Sequence, residues 1–178
     1  RMFADDTSLF VITEKELNYL ATMTLNGDLG AVSLWAKQWF ISLNEKKTGL
    51  LNINHAKQTS PPIYLNGKPI QELDQHRHLG VILNSKGTWT EHIECIYKSS
   101  MRRVDCLRKL SYKLSRSTLE KLYMVYIRPI LEYASILWHN CTKEQTDKLE
   151  RVQLAAARAV TGASRHAPIR LLFGIVLV

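Results

Sequence analysis

Two adjacent carboxylates, Asp5 and Asp6, lie between apolar runs in Met2-Phe3-Ala4-Asp5-Asp6-Thr7-Ser8-Leu9-Phe10-Val11-Ile12. Like charges held a few ångströms apart raise each other's pKa unless a cation neutralises them. A divalent ion does so, and two hard ions about 3.5–4 Å apart can clamp the attacking and leaving oxygens of a phosphoryl transfer. The plainer reading is a turn, since Asp is a good turn residue. A second polar cluster, Asn44-Glu45-Lys46-Lys47-Thr48, offers Lys47 as a phosphate contact or as a solvated loop lysine.

The third feature is a charge block. Nine Lys or Arg residues stand against Asp105 and Glu120 between Lys98 and Arg128, a local +7 in a chain whose net charge is +8. At 100° per residue, Lys98, Arg102, Lys109, Lys113 and Arg116 fall within about 60° on one long helix. Val104, Leu107, Leu110 and Leu114 take the opposite side. One face can pack while the other follows a phosphate backbone, with affinity that falls as salt rises. An ordinary solvated face is the alternative, with Glu94–Lys98 and Asp105–Lys109 pairing at i,i+4.

The elements that must hold these residues are legible from period and punctuation. The opening segment predicts two short strands joined at the Asp pair. Thr13-x-x-Glu16 predicts a capping box and a helix carrying Leu17, Leu20, Leu25, Leu29, Val32, Trp35 and Trp39, with a break near Asn26-Gly27. Thr48–Ile53 reads as a strand, and Asn66-Gly67 predicts a type I′ hairpin. Leu79-Gly80-Val81-Ile82-Leu83 reads as a strand ending at Asn84–Gly87. From Trp89 the period is 3.6, with Ile93, Ile96, Val104, Leu107, Leu110 and Leu114 on one, inward side. Ser117-x-x-Glu120 predicts the start of a second helix, bent near Pro129. Thr142-x-x-Gln145 predicts a third, stopped by Gly162. The fold class is α+β, with a β-rich half over 1–87 and an all-helical half over 88–178. The four tryptophans (Trp35, Trp39, Trp89, Trp138) are expected as core anchors.

Composition narrows the classes. At 178 residues, 46% hydrophobic and 22% charged, the chain has the make-up of a folded protein of one domain or two lobes. No apolar stretch reaches the roughly 18 residues of a membrane span, so no membrane partner is expected. Three cysteines without disulfide-framework spacing make a reducing, intracellular compartment the expectation. Cys95, Cys106 and Cys141 lack zinc-ribbon or disulfide-framework spacing. No HExxH, GxGxxG or GxSxG motif is present. A start at Arg1 rather than Met hints at a piece of something longer.

Taken in order, the motifs resemble one family. Phe3-Ala4-Asp5-Asp6 resembles the [YF]-x-D-D catalytic box of reverse transcriptases of LINE-type, non-long-terminal-repeat retrotransposons such as the jockey-like group. Trp35-x-x-x-Trp39, Asn44-x-x-Lys47-Thr48, Leu79-Gly80-Val81, Trp89-x-x-His92-Ile93, Tyr126–Tyr133 and Leu149-Glu150-x-x-Gln153 follow in that family's order. Ile169–Val178 do not resemble its usual continuation.

The resemblance implies a partial polymerase palm over 1–87 and a helical, thumb-like region over 88–178. It implies Asp5 and Asp6 as metal-binding carboxylates for Mg²⁺ or Mn²⁺, and Lys47 as a lysine near the triphosphate. Phe3 and Ala4 would lie beside the primer–template junction, and Leu79 and Gly80 beside the primer terminus, with Gly80 admitting a close backbone approach. Lys98, Arg102, Lys109, Lys113 and Arg116 would follow the duplex. The implied partners are an RNA template with a DNA primer, deoxynucleoside triphosphates, and a preceding part of the same polyprotein carrying the fingers and the partner aspartate. The isolated chain is then expected to be inactive. A non-catalytic nucleic-acid-binding helical module, or a decayed relic of an element, is the other reading of the same residues. A helical protein-interaction domain is a third.

Overall fold

The computed structural model describes residues 2–3, 6–14, 17–53, 61–164 and 167. The chain divides into two units, Arg1–His76 with Asn84–Gly87, and Arg77–Leu83 with Thr88–Val178.

In the first unit, β1 (Met2–Phe3) and β2 (Asp6–Thr7) pair antiparallel, Met2 with Thr7 and Phe3 with Asp6. The expected hairpin forms in a different register: Asp6 belongs to the second strand, and residues 9–12 have no regular structure. Two-residue pairing sets the strand by backbone partners, not by the apolar run that follows. Helix α1 (Asn18–Gln38) starts later than the Thr13 box predicts. Its N-cap is Leu17, which makes no side-chain cap bond, and the Thr13 hydroxyl donates instead to the Glu14 carbonyl. The helix runs unbroken through Asn26-Gly27. Asn26 explains part of this, since its carbonyl oxygen accepts from the Tyr64 N–H at 2.8 Å and its amide donates to the Pro62 carbonyl at 3.4 Å. That one side chain fastens α1 to β4 (Tyr64–Leu65).

Strands β4 and β5 (Lys68–Pro69) flank Asn66 and Gly67, whose φ values of 52° and 80° are those of the predicted type I′ turn. Ile63 and Leu65 bury their side chains. The strand expected over Thr48–Ile53 shortens to β3 (Gly49–Leu50), parallel to β6 (Gln71–Glu72). Such small sheets offer too little surface to cover a long helix. Only Thr22 and Ala36 of α1 are buried, and Trp35 and Trp39 are 44% and 63% exposed, not the core anchors expected.

The second unit holds the larger core. Helix α2 (Thr90–Leu110) buries Ile93, Ile96, Val104 and Leu107, as its period predicts. It ends at Leu110, however, which is exposed, and Leu114 lies beyond it, partly buried against the core. It packs against α6 (Lys143–Thr161), where Ala155, Ala156 and Ala159 are small enough to let the helices approach. Each large side chain so buried contributes about 1.5–3 kcal/mol. Both ends of α6 are as predicted. Thr142 and Gln145 complete a reciprocal capping box, and Gly162 at φ 68° ends the helix.

Between them, α3 (Arg116–Leu122) is capped by Ser115 rather than Ser117, because Ser115 has the extended backbone that lets its Oγ accept from the Thr118 N–H. A π-helical turn, Tyr123–Ile127, leads into α4 (Arg128–Glu132). The expected disturbance at Pro129 takes this form, since Pro lacks the N–H and its ring crowds the carbonyl one turn back. Helix α5 (Ser135–Trp138) follows, with Trp138 buried. Strands β7 (Gln75–His78) and β8 (Val81–Asn84) form a two-stranded sheet. Leu79 and Gly80, read from sequence as strand, are the turn between them, with φ of 45° and 83°. The three cysteines are free.

Candidate functional site

The acidic pair is represented structurally by Asp6, since Ala4 and Asp5 lie outside the described residues. Asp6 is exposed on β2 opposite the Phe3 backbone. An exposed carboxylate is a hard ligand of the kind Mg²⁺ prefers, but one carboxylate is not a site. Among the described residues no three His, Cys, Asp or Glu converge on a common point. Asp6 by itself therefore offers one hard oxygen ligand and makes no metal site among the described residues.

Lys47 sits in the turn after α1. The Asn44 carbonyl accepts from the Lys47 and Thr48 amides, each at 3.1 Å, and the Thr48 hydroxyl adds a third bond at 2.9 Å. Glu45 accepts from Lys68 at 2.6 Å and from Asn66 at 3.2 Å, which ties this turn to the β4–β5 hairpin. Those hydrogen bonds, the one from Lys68 foremost, hold the Glu45 carboxyl below the ordinary carboxylate range. The Lys47 ammonium is exposed, with no ion pair among the described residues, and nothing there joins it to Asp6. A shallow cleft of about 330 Å³, lined by Ala36, Lys37, Phe40, Leu43 and Glu45 among others, lies beside this turn but includes neither Asp6 nor Lys47.

In the second unit the Leu79-Gly80 turn is fixed by side chains that sequence reasoning had not assigned. The Tyr133 hydroxyl donates to the Leu79 carbonyl at 2.7 Å. A Cβ on Gly80 would come within 3.3 Å of the Tyr133 ring. The side on which Gly80 would carry a Cβ is thus occupied by this chain's own tyrosine. Below it, His92 Nδ1 accepts from the Ile82 N–H at 3.3 Å, and the imidazole lies edge-on between Trp89 and Trp138. Burial first, and the nearby Arg77 charge second, lower the His92 pKa from its ordinary value. The only sequence signal for this cluster was that Leu79-Gly80, Trp89-x-x-His92 and Tyr126–Tyr133 are successive motif blocks.

The basic face is shorter than expected. Helix α2 ends at Leu110, so Lys98, Arg102 and Lys109 share an arc of about 40° over about 16 Å of axis. Lys113 sits in the turn that follows, and Arg116 opens α3, bonded to Glu120 at 3.0 Å. Lys98 pairs with Glu94 at 3.3 Å as predicted, and Glu94 also binds Lys148. Asp105 pairs with Arg108 at 2.9 Å rather than with Lys109, three residues of helix serving as well as four. Arg103 is spent on structure, donating to the Tyr126 carbonyl and lying 4.2 Å from the centre of the Tyr126 ring. The uncompensated cations here, among the described residues, are Arg102, Lys109, Lys113 and Lys121. No helix among those residues is long and apolar enough to cross a membrane.

No family model and no solved structure matches the chain. Known polymerases do. The RNA-directed DNA polymerase from mobile element jockey of Drosophila melanogaster is 27% identical over 164 residues, 90% of this chain and 18% of that protein. The probable RNA-directed DNA polymerase from transposon BS of the same species is 26% identical over 89% of the chain and 18% of its own length. That from transposon X-element is 25% identical over 73% of the chain and 15% of its own length. The chain thus spans less than a fifth of the relatives it matches. In sequence it is similar to the RNA-directed DNA polymerases of these mobile elements, the family its ordered motifs resemble.

Proposed function

We propose that this chain is the palm-and-thumb part of an RNA-directed DNA polymerase that extends a DNA primer paired with an RNA template. The observation that carries the reading is similarity along nine tenths of the chain to the jockey polymerase, in a sequence that holds the adjacent Asp5 and Asp6, the second of them on a paired strand. The reaction is in-line attack of the primer 3′-hydroxyl on the α-phosphorus of a deoxynucleoside triphosphate, with pyrophosphate leaving. Asp5 and Asp6 are the residues that would hold Mg²⁺ or Mn²⁺, which when bound neutralises charge on the phosphoryl oxygens. Lys47 would meet the triphosphate and supply a proton to the departing pyrophosphate. Phe3, Ala4 and the Leu79-Gly80 turn would adjoin the primer, and the cations of α2 would follow the duplex. Further carboxylates and the nucleotide-closing fingers come from the preceding part of the polyprotein, so the isolated chain does not polymerise.

Primer extension on an RNA template tests this. The longer polymerase should lose at least about a hundredfold in rate on Asp5→Asn or Asp6→Asn, the scale of removing electrostatic stabilisation of the reacting phosphate. Unchanged synthesis by both variants rejects the catalytic assignment. Asp5-dependent incorporation by the 178-residue chain alone rejects the inactivity.

A second reading, a nucleic-acid-binding helical module without catalysis, is favoured by Arg102, Lys109, Lys113 and Lys121, cations of the helical unit that have no ion pair among the described residues. Salt-sensitive duplex binding suits both readings, and the aspartate variants separate them.

A further inference from the structure

Tyr112 is 93% exposed. Its ring carries a large apolar face that nothing among the described residues covers, yet the backbone beneath is pinned. Lys113 and Leu114 N–H both donate to the Leu110 carbonyl, at 2.9 and 3.0 Å. The Ser111 N–H and hydroxyl both donate to the Arg108 carbonyl, at 3.2 and 2.7 Å. The ring is therefore held out from the end of α2 on an ordered turn. Lys109 and Lys113 flank it without ion pairs among the described residues, whereas Arg108 and Arg116 are neutralised by Asp105 and Glu120.

We propose that the turn between α2 and α3 binds an unpaired nucleotide, with Tyr112 stacked on the base and Lys109 and Lys113 on the neighbouring phosphates. A π-face with anions beside it is the complement of an exposed ring on a turn whose neighbouring residues in sequence, Lys109 and Lys113, carry ammonium groups, and a single strand presents that combination repeatedly. Within a duplex the bases are already stacked on one another, so the partner is a single strand or an overhang, RNA or DNA. The inference rests on the nucleic-acid reading above and adds to it a residue and a strand state.

The test is fluorescence anisotropy of the whole chain with short labelled single-stranded RNA, single-stranded DNA and a blunt duplex. Tyr112→Ala should weaken single-strand binding by about 5- to 100-fold, while Tyr112→Trp retains it. Tyr112→Ala should leave the slope of log affinity against log salt unchanged, and Lys113→Gln should reduce it by about 0.7. Loss in the RNA arm, the DNA arm or both supports the proposal and names the strand. Unaltered single-strand affinity of Tyr112→Ala, with duplex binding intact, overturns the proposal and leaves the nucleic-acid reading standing. No binding to any oligonucleotide removes both. Tyr112-dependent binding to vesicles of phosphatidylserine and phosphatidylcholine in equal parts, without oligonucleotide binding, assigns the turn to a membrane surface and overturns it.

Discussion

Tyr133 donates its hydroxyl to the carbonyl of Leu79 at 2.7 Å, joining two residues 54 positions apart. The bond needs the absence of a side chain next door, because the Tyr133 ring lies where a Cβ on Gly80 would be crowded. The pair holds the β7–β8 turn to the segment between α4 and α5. Tyr133 is itself held there, since its carbonyl accepts from the Trp138 indole at 3.3 Å.

Tyr133→Phe removes the hydroxyl alone and should cost about 1 kcal/mol. Gly80→Ala should cost more, about 2 kcal/mol, because φ of 83° disfavours a Cβ that the tyrosine ring also crowds. Urea unfolding measures both, and a Gly80→Ala loss smaller than that of Tyr133→Phe would contradict the packing described.

His92 predicts a pH dependence. The neutral ring accepts the Ile82 amide through Nδ1, and the folded state holds its pKa below the ordinary 6.5. The unfolded chain therefore takes up the proton first. Stability contributed by the neutral ring is complete above about pH 6.5 and is lost as pH falls toward the depressed folded value. The urea midpoint of the wild type should drop between pH 7 and 5, and that drop should shrink in His92→Gln. Equal slopes for the two proteins would show that His92 does not carry the effect.

Ala156 is fully buried where α6 packs on α2. Ala156→Leu forces the helices apart and should destabilise by about 1–3 kcal/mol. Ala156→Gly should cost only about 1 kcal/mol, through helix propensity. A stable Ala156→Leu protein with an unshifted thermal midpoint would show a looser interface than the burial implies.

The cations of α2 should not be equivalent. Arg102 and Lys109 have no ion pair among the described residues, so neutralising both by Gln should lower the salt slope of duplex binding by up to about 1.8, two phosphate contacts' worth. Lys98 already faces Glu94, so Lys98→Gln should change the slope less than Lys109→Gln. The reverse order in a salt titration would place the duplex on another face.

The sequence by itself determined the elements whose signals are local. The Asn66-Gly67 turn, the Thr142–Gln145 box, the Gly162 stop and the inward face of α2 all rest on a few consecutive residues or on one period. Those forces act within a turn or two, so they read directly from spacing. The ordered motifs likewise sufficed to indicate the polymerase resemblance, because motif order needs no coordinates. Tertiary structure decided what depends on partners distant in sequence. Leu79-Gly80 became a turn because Tyr133 receives it, and α1 continued past Asn26-Gly27 because the Asn26 amide meets the backbone of residues 62 and 64. Trp35 and Trp39 are exposed among the described residues, since helical period does not decide which face of α1 a partner covers. The basic stripe broke at Leu110, and ion pairs with Glu94 and Glu120 divided its cations into spent and free. Helical period places a charge on a face, but only the positions of the opposing carboxylates decide whether it is left for a phosphate.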